Sequence, residues 1–179
     1  MTAQAPAPAP RSSAVPGASA VPARIAFASD LIRLEIAVWD RVDARLRAEH
    51  QISLPFFESL AAVADAPAPG VRVGDVAATL GITVGGTSKL VDRVTRAGLL
   101  LRRTDPDDRR VSRLTLTPAG RRMLQRASVT YDAEMATLLD PALDGDEQAV
   151  LHDLVSRVLR ATRPAASTSA PTPRTGDPR

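Results

Sequence analysis

Residues 73–98 read VGDVAATLGITVGGTSKLVDRVTRAG, and residues 99–120 continue LLLRRTDPDDRRVSRLTLTPAG. Val73, Val76, Ala77 and Leu80 recur at helical spacing and predict a short helix with these four facing inward. Gly81 suits the left-handed position that ends a helix. Thr83 then offers its hydroxyl as the cap of a second helix. In that helix Val84, Thr87, Val91 and Val94, at spacings of three, four and three, are expected to face the core. Gly85, Ser88, Lys89, Asp92, Arg93 and Arg96 occupy the complementary face, and Gly98 closes the helix. A hairpin follows, with strands at 99–103 and 110–116 around the turn TDPDDR, and Thr117-Pro118 opens a further helix with Thr as cap and Pro in the first turn. From Thr83 to Arg122 ten residues are basic and four acidic, while the whole chain carries only +3. The positive charge is therefore concentrated on one supersecondary unit, which is the electrostatic footprint of a nucleic-acid-binding module.

Upstream, residues 25–50 predict a long helix. Leu31, Leu34, Val38, Val42 and Leu46 form one apolar stripe, and Ile32, Ile36 and Trp39 form a second beside it. A shorter helix is expected at 54–65, closed by APAPG at 66–70. Downstream, the helix opened by Thr117-Pro118 should run to about 139. Pro141 breaks it, and a last helix from 145 to 161 carries Val150, Leu154 and Val158 beside Leu151, Val155 and Leu159. The first and last helices thus bear more apolar surface than one neighbour covers, which predicts a dimerisation layer. The competing reading is burial of both within a single subunit. The fold class expected is mainly α with a small β-wing.

Composition narrows the remaining choices. The 179 residues suffice for one domain, but 1–23 and 163–179 are rich in Pro, Ala and Ser without apolar periodicity and are expected to be disordered tails. The N-terminal tail has no basic start and no apolar run, so it does not read as a signal peptide. No stretch approaches the roughly 20 apolar residues that span a bilayer. A soluble cytoplasmic protein without membrane partners is the simplest expectation. With no cysteine there is no disulfide, thiolate nucleophile or Cys-ligated zinc. His50 and His152 lie far apart with no partner at ligand spacing, so no metal or other cofactor is expected. No nucleophile–base pair appears either. VGGTSK lacks the spacing of a phosphate-binding loop, so an enzyme is not expected.

The two helices, the glycine turn and the hairpin followed by T-P-x-G resemble the winged helix-turn-helix of the MarR (multiple antibiotic resistance regulator) family. The most specific parts are LVDRVTRAGLLLRR at 90–103 and DPDDRRVSRLTLTPAGRRML at 105–124. The resemblance implies a MarR-type domain over 24–162, with 25–50 and 119–161 as dimerisation helices and 52–118 as the winged helix-turn-helix. It implies a homodimeric transcriptional regulator on double-stranded DNA with a palindromic operator, usually a repressor and often released by a small aromatic or phenolic ligand.

Within that frame the candidate DNA face comprises Thr83, Gly85, Gly86, Ser88, Lys89, Arg93, Arg96, Asp108, Arg109 and Arg110. Ser88 and Lys89 sit where the family usually contacts base edges, although Lys89 replaces the commoner Arg and loses its bidentate fork. Arg93 and Arg96 lie further along and suit phosphates. By the family motif, Arg110 at the wing tip enters the minor groove and Asp108 orients it. Gly85-Gly86 departs from the pattern. Either the backbone there approaches DNA closely or the first turn of the helix is loose until DNA orders it. Thr87 is also unusual, being polar at a core position, and its hydroxyl can bond back to the helix. The family's effector pocket, between winged domain and dimerisation helices, points to Trp39, His50, Phe56 and Phe57 as ligand candidates, which read equally as ordinary core. The alternative function is a winged helix used for protein–protein contact without specific DNA binding.

Overall fold

The computed structural model describes residues 21–105 and 111–162. Residues 1–20 and 163–179, which hold most of the two expected tails, and 106–110, which hold the wing tip with Asp108, Arg109 and Arg110, lie outside the described residues. Helix α1 spans Ala23–His50, α2 Leu54–Ala64, α3 Val73–Leu80, α4 Val84–Arg96, α5 Pro118–Leu139 and α6 Gly145–Thr162. Strands β1 (Val71–Arg72), β2 (Leu100–Thr104) and β3 (Ser112–Leu116) form an antiparallel sheet in the order β1-β3-β2. By its contacts the chain divides into a unit ending at Asp40, whose described part is the N-terminal stretch of α1, and a unit from Arg41 onward.

Local chemistry sets most boundaries in the second unit. Thr83 accepts a hydrogen bond from the Gly86 amide at 3.2 Å and starts α4, and Thr117 does the same for α5 through the Gly120 amide at 2.9 Å. Gly81 ends α3 at φ +66°, a conformation with little steric cost only for glycine. Helix α2 begins differently. Ser53 makes no side-chain cap, and the Leu54 amide is taken up by the Asp43 carboxylate of α1 at 2.7 Å. Burial alone would raise the Asp43 pKa, but the Arg47 guanidinium and the Leu54 amide outweigh it and hold the carboxyl below its usual value.

The core of this unit joins Leu60 and Val63 of α2, Val76 of α3, Leu90, Val91 and Val94 of α4, and Leu99, Leu100 and Leu114 of the hairpin. Each such side chain contributes about 1.5–3 kcal/mol by leaving water. One sequence expectation is corrected here. Val84 is not a core residue but 57% exposed, and Leu90 takes the inward place in α4. The stripe fails at its first member because the opening turn of α4 has no helix opposite it. Thr87, by contrast, is fully buried, and its hydroxyl donates to the Thr83 carbonyl at 3.0 Å, which removes the cost of a polar group there.

On the flank of α5, Glu134 accepts from Arg41 Nε at 2.6 Å and from Arg45 Nη1 at 3.0 Å. Arg45 Nε also donates to Glu49, whose second oxygen accepts from the Thr130 hydroxyl at 2.8 Å. Thr130 has one proton and spends it on Glu49, so the 2.8 Å contact with His50 Nε2 requires the imidazole to donate.

Candidate nucleic-acid interface

The cationic face of the unit is built on α4. Gly85, Gly86, Lys89, Arg93 and Arg96 are exposed, Ser88 is half-buried, and Thr83 is exposed at the cap. A methyl group added at Gly85 would meet nothing within 4 Å, so the opening turn presents bare backbone on that side. Ile82 and Val84 stand exposed beside it. Lys89, Arg93 and Arg96 have no ion-pair partner among the described residues, so their charges are available to an anionic ligand. Asp92 is engaged otherwise. Its carboxylate lies 3.2 Å from the Arg102 guanidinium of β2 and so ties the helix to the hairpin.

The hairpin carries a second pair that the sequence reading did not single out. Arg113 on β3 donates through Nε to Asp105 at 2.5 Å and through Nη1 to the Gly70 carbonyl at 2.9 Å. Asp105 is buried, and its own amide bonds the Val111 carbonyl across the base of the wing. Finding this pair from sequence would have required the strand register and the course of the 66–70 loop together. Strand β1 also went unseen, since two residues carry no periodicity.

The four ligand candidates do not share one surface. Trp39 belongs to the N-terminal unit and is 38% exposed. His50 is held by Thr130, and Phe56 packs against the core. Phe57 is buried edge-on against Tyr131, with ring centroids 5.3 Å apart. Burial raises the Tyr131 pKa, helped by the nearby Glu58 charge, and burial also raises that of Glu58. None of the four lines the groove of about 810 Å³ formed by Val63, Pro67, Pro69, Leu116, Arg121 and Leu124. Among the described residues no helix is long and apolar enough to cross a membrane.

Comparison with known proteins places this geometry. The model of the MarR family matches residues 57–111. An uncharacterized HTH-type transcriptional regulator from Bacillus cereus is 29% identical over 84 residues, 47% of this chain and 55% of the relative. The chain therefore spans about half the length of the curated relatives that it matches. Among solved structures, the PcaV transcriptional regulator from Streptomyces coelicolor, in complex with its natural ligand, is 30% identical. That similarity covers 76% of this chain and 92% of that one, with a TM-score of 0.60. A MarR family transcriptional regulator from Streptomyces coelicolor in complex with DNA shares the fold at a TM-score of 0.70 and 21% identity, over 79% of this chain and 88% of that one. With the capped helix pair, the three-stranded sheet and the matched residues in agreement, the chain belongs to the MarR family of winged helix-turn-helix transcriptional regulators.

Proposed function

We propose that this protein is a sequence-specific regulator of transcription that binds duplex DNA as a homodimer, with α4 in the major groove and the wing in the adjacent minor groove. The observation that carries the reading is the row Lys89, Arg93 and Arg96, exposed and without counter-charge on a helix whose N-terminal turn is bare backbone. Short polar and cationic side chains on a protruding helix suit base edges and phosphates. At the wing, Arg110 is the residue assigned to the minor groove, with Arg109 beside it and Asp108 as its orienter, by the family motif. The operator expected is an imperfect palindrome with half-sites about one helical turn apart.

The regulator is read as a repressor, released from DNA by a small aromatic or phenolic ligand. Two observations support control by a ligand: a neighbour with the same fold was solved with its natural ligand, and a large groove lies between α2 and α5. Trp39, His50, Phe56 and Phe57 stay the candidates named from the family pocket. Phe57 and His50 already have partners, so a ligand there would have to displace them.

Fluorescence anisotropy against labelled duplex from the protein's own promoter region, repeated from low to high salt, tests the central claim. A steep fall of affinity with salt, and tighter binding than to a scrambled duplex, is expected. Weak binding without salt dependence would favour the protein–protein module instead.

A further inference from the structure

We propose that Arg113 is a positioning residue for the wing and not one of its DNA contacts, although the sequence groups it with the basic residues of the helix–wing unit. The proposal rests on the DNA-binding reading above. Strand pairing puts Arg113 directly opposite Arg72 on β1 and directly opposite Arg103 on β2. Residues opposed in this way share one face of the sheet, so three guanidinium groups stand in a row with Arg113 at its centre. Left alone, that row would repel itself and splay the sheet. Asp105 relieves it. Its carboxylate is 1% exposed and holds Arg113 Nε, while Arg113 Nη1 reaches back to the Gly70 carbonyl.

The guanidinium therefore joins three separate pieces: β3, the residue at which β2 passes into the wing, and the loop ahead of β1. Arg113 is itself largely buried, its side chain 22% exposed, and two of its donor directions are already used. Asp105 sits immediately before the segment 106–110 that carries the wing-tip arginines, and its amide closes the hairpin on Val111. Fixing Asp105 from both sides sets the direction in which the wing leaves the sheet. The charge of Arg113 is neutralised within the protein, and its contribution to DNA binding is geometric.

The test compares Arg113→Gln with Arg96→Gln, an arginine assigned to phosphate, in salt-dependent DNA titrations of the full chain. Losing one phosphate contact lowers the steepness of log affinity against log salt by about 0.9. Arg96→Gln should show that loss. Arg113→Gln should lower affinity at least tenfold with the slope unchanged. Arg113→Lys should not rescue it, because an ammonium cannot span Asp105 and Gly70 together, whereas lysine would serve a phosphate. Asp105→Asn should reproduce the defect, and combining it with Arg113→Gln should add little. Hydrogen exchange gives a readout independent of DNA. In Arg113→Gln the Asp105 and Thr104 amides should exchange faster while Leu90 to Val94 of α4 stay protected, which also guards against a variant that merely fails to fold. A slope lowered by about 0.9 in Arg113→Gln, or rescue by lysine, overturns the proposal in favour of a phosphate contact. Unchanged exchange at Asp105 overturns it even if the wild-type chain binds no DNA, an outcome that by itself would refute only the regulatory reading.

Discussion

Lys89 and the glycines before it decide how the proposed DNA face reads sequence. Lys89 projects from the exposed side of α4 one turn after its start, with no ion pair holding it, so it can reach a guanine edge. Replacing it by alanine should cost about 1–3 kcal/mol on a cognate duplex and much less on a scrambled one, since a base contact discriminates and a phosphate contact does not. Competition titrations with both duplexes check this. Equal losses on the two would make Lys89 a phosphate clamp. Gly85 poses the opposite kind of question. Space around it is open, so Gly85→Ala should stabilise the free helix by about 0.5–1 kcal/mol. If its backbone lies against DNA, the same methyl group should weaken operator binding while the melting temperature rises. A rise in both stability and affinity would mean that the glycines only loosen the first turn. The sequence leaves these two readings level because a glycine looks the same whether it serves a close approach or merely fails to pack.

Between elements, side chains that join α1 to α5 carry a pH dependence whose sign can be worked out. Arg41 and, next to it, Arg45 bond the Glu134 carboxylate and hold its pKa below the usual glutamate value, with burial opposing them. A carboxyl depressed in the folded state contributes stability above its unfolded pKa, near 4.3, and loses it as pH falls through the lower folded value. Thermal melts of wild type and Glu134→Gln from pH 7 down to 3 should therefore converge as acid is added. A gap that stays constant across that range would show that the ion pairs do not set the acid limb. How far such features are legible in sequence depends on range. Thr83, Thr117 and Gly81 mark their helix ends through bonds spanning three or four residues, so those boundaries and the winged helix-turn-helix follow from the sequence. Val84 was assigned inward because its spacing fits a stripe, but spacing does not reveal that nothing faces the first turn. The Arg113–Asp105 pair and the Glu134 bridges depend on register and on elements 89 to 93 residues apart, which periodicity does not encode.

At the scale of the whole molecule the unexplained quantity is apolar surface. No residue of α6 is buried, and Val150, Leu151, Leu154, Val155, Val158 and Leu159 are all exposed along it. In the N-terminal stretch of α1, Phe27, Leu31, Ile32, Leu34 and Ile36 are exposed as well. Soluble monomers rarely leave contiguous patches of this kind in water. A polar helix would have served as a spacer, whereas two helices with double apolar stripes ask for a partner of the same character. A second copy of the chain supplies one with no further assumption, and a two-fold pair of winged units would then match a palindromic operator. Sedimentation at micromolar concentration should accordingly give twice the 18.9 kDa chain mass. Placing glutamate at both Leu154 and Val158 should shift the protein to monomer while leaving the winged unit folded, since neither side chain belongs to its core. Two half-sites bound through one rigid dimer gain from effective concentration, so the monomeric variant should lose at least a hundredfold in operator affinity. A variant that is monomeric by sedimentation yet binds the full operator as tightly as wild type would separate the apolar helices from DNA binding and leave their exposure to be explained by a different partner.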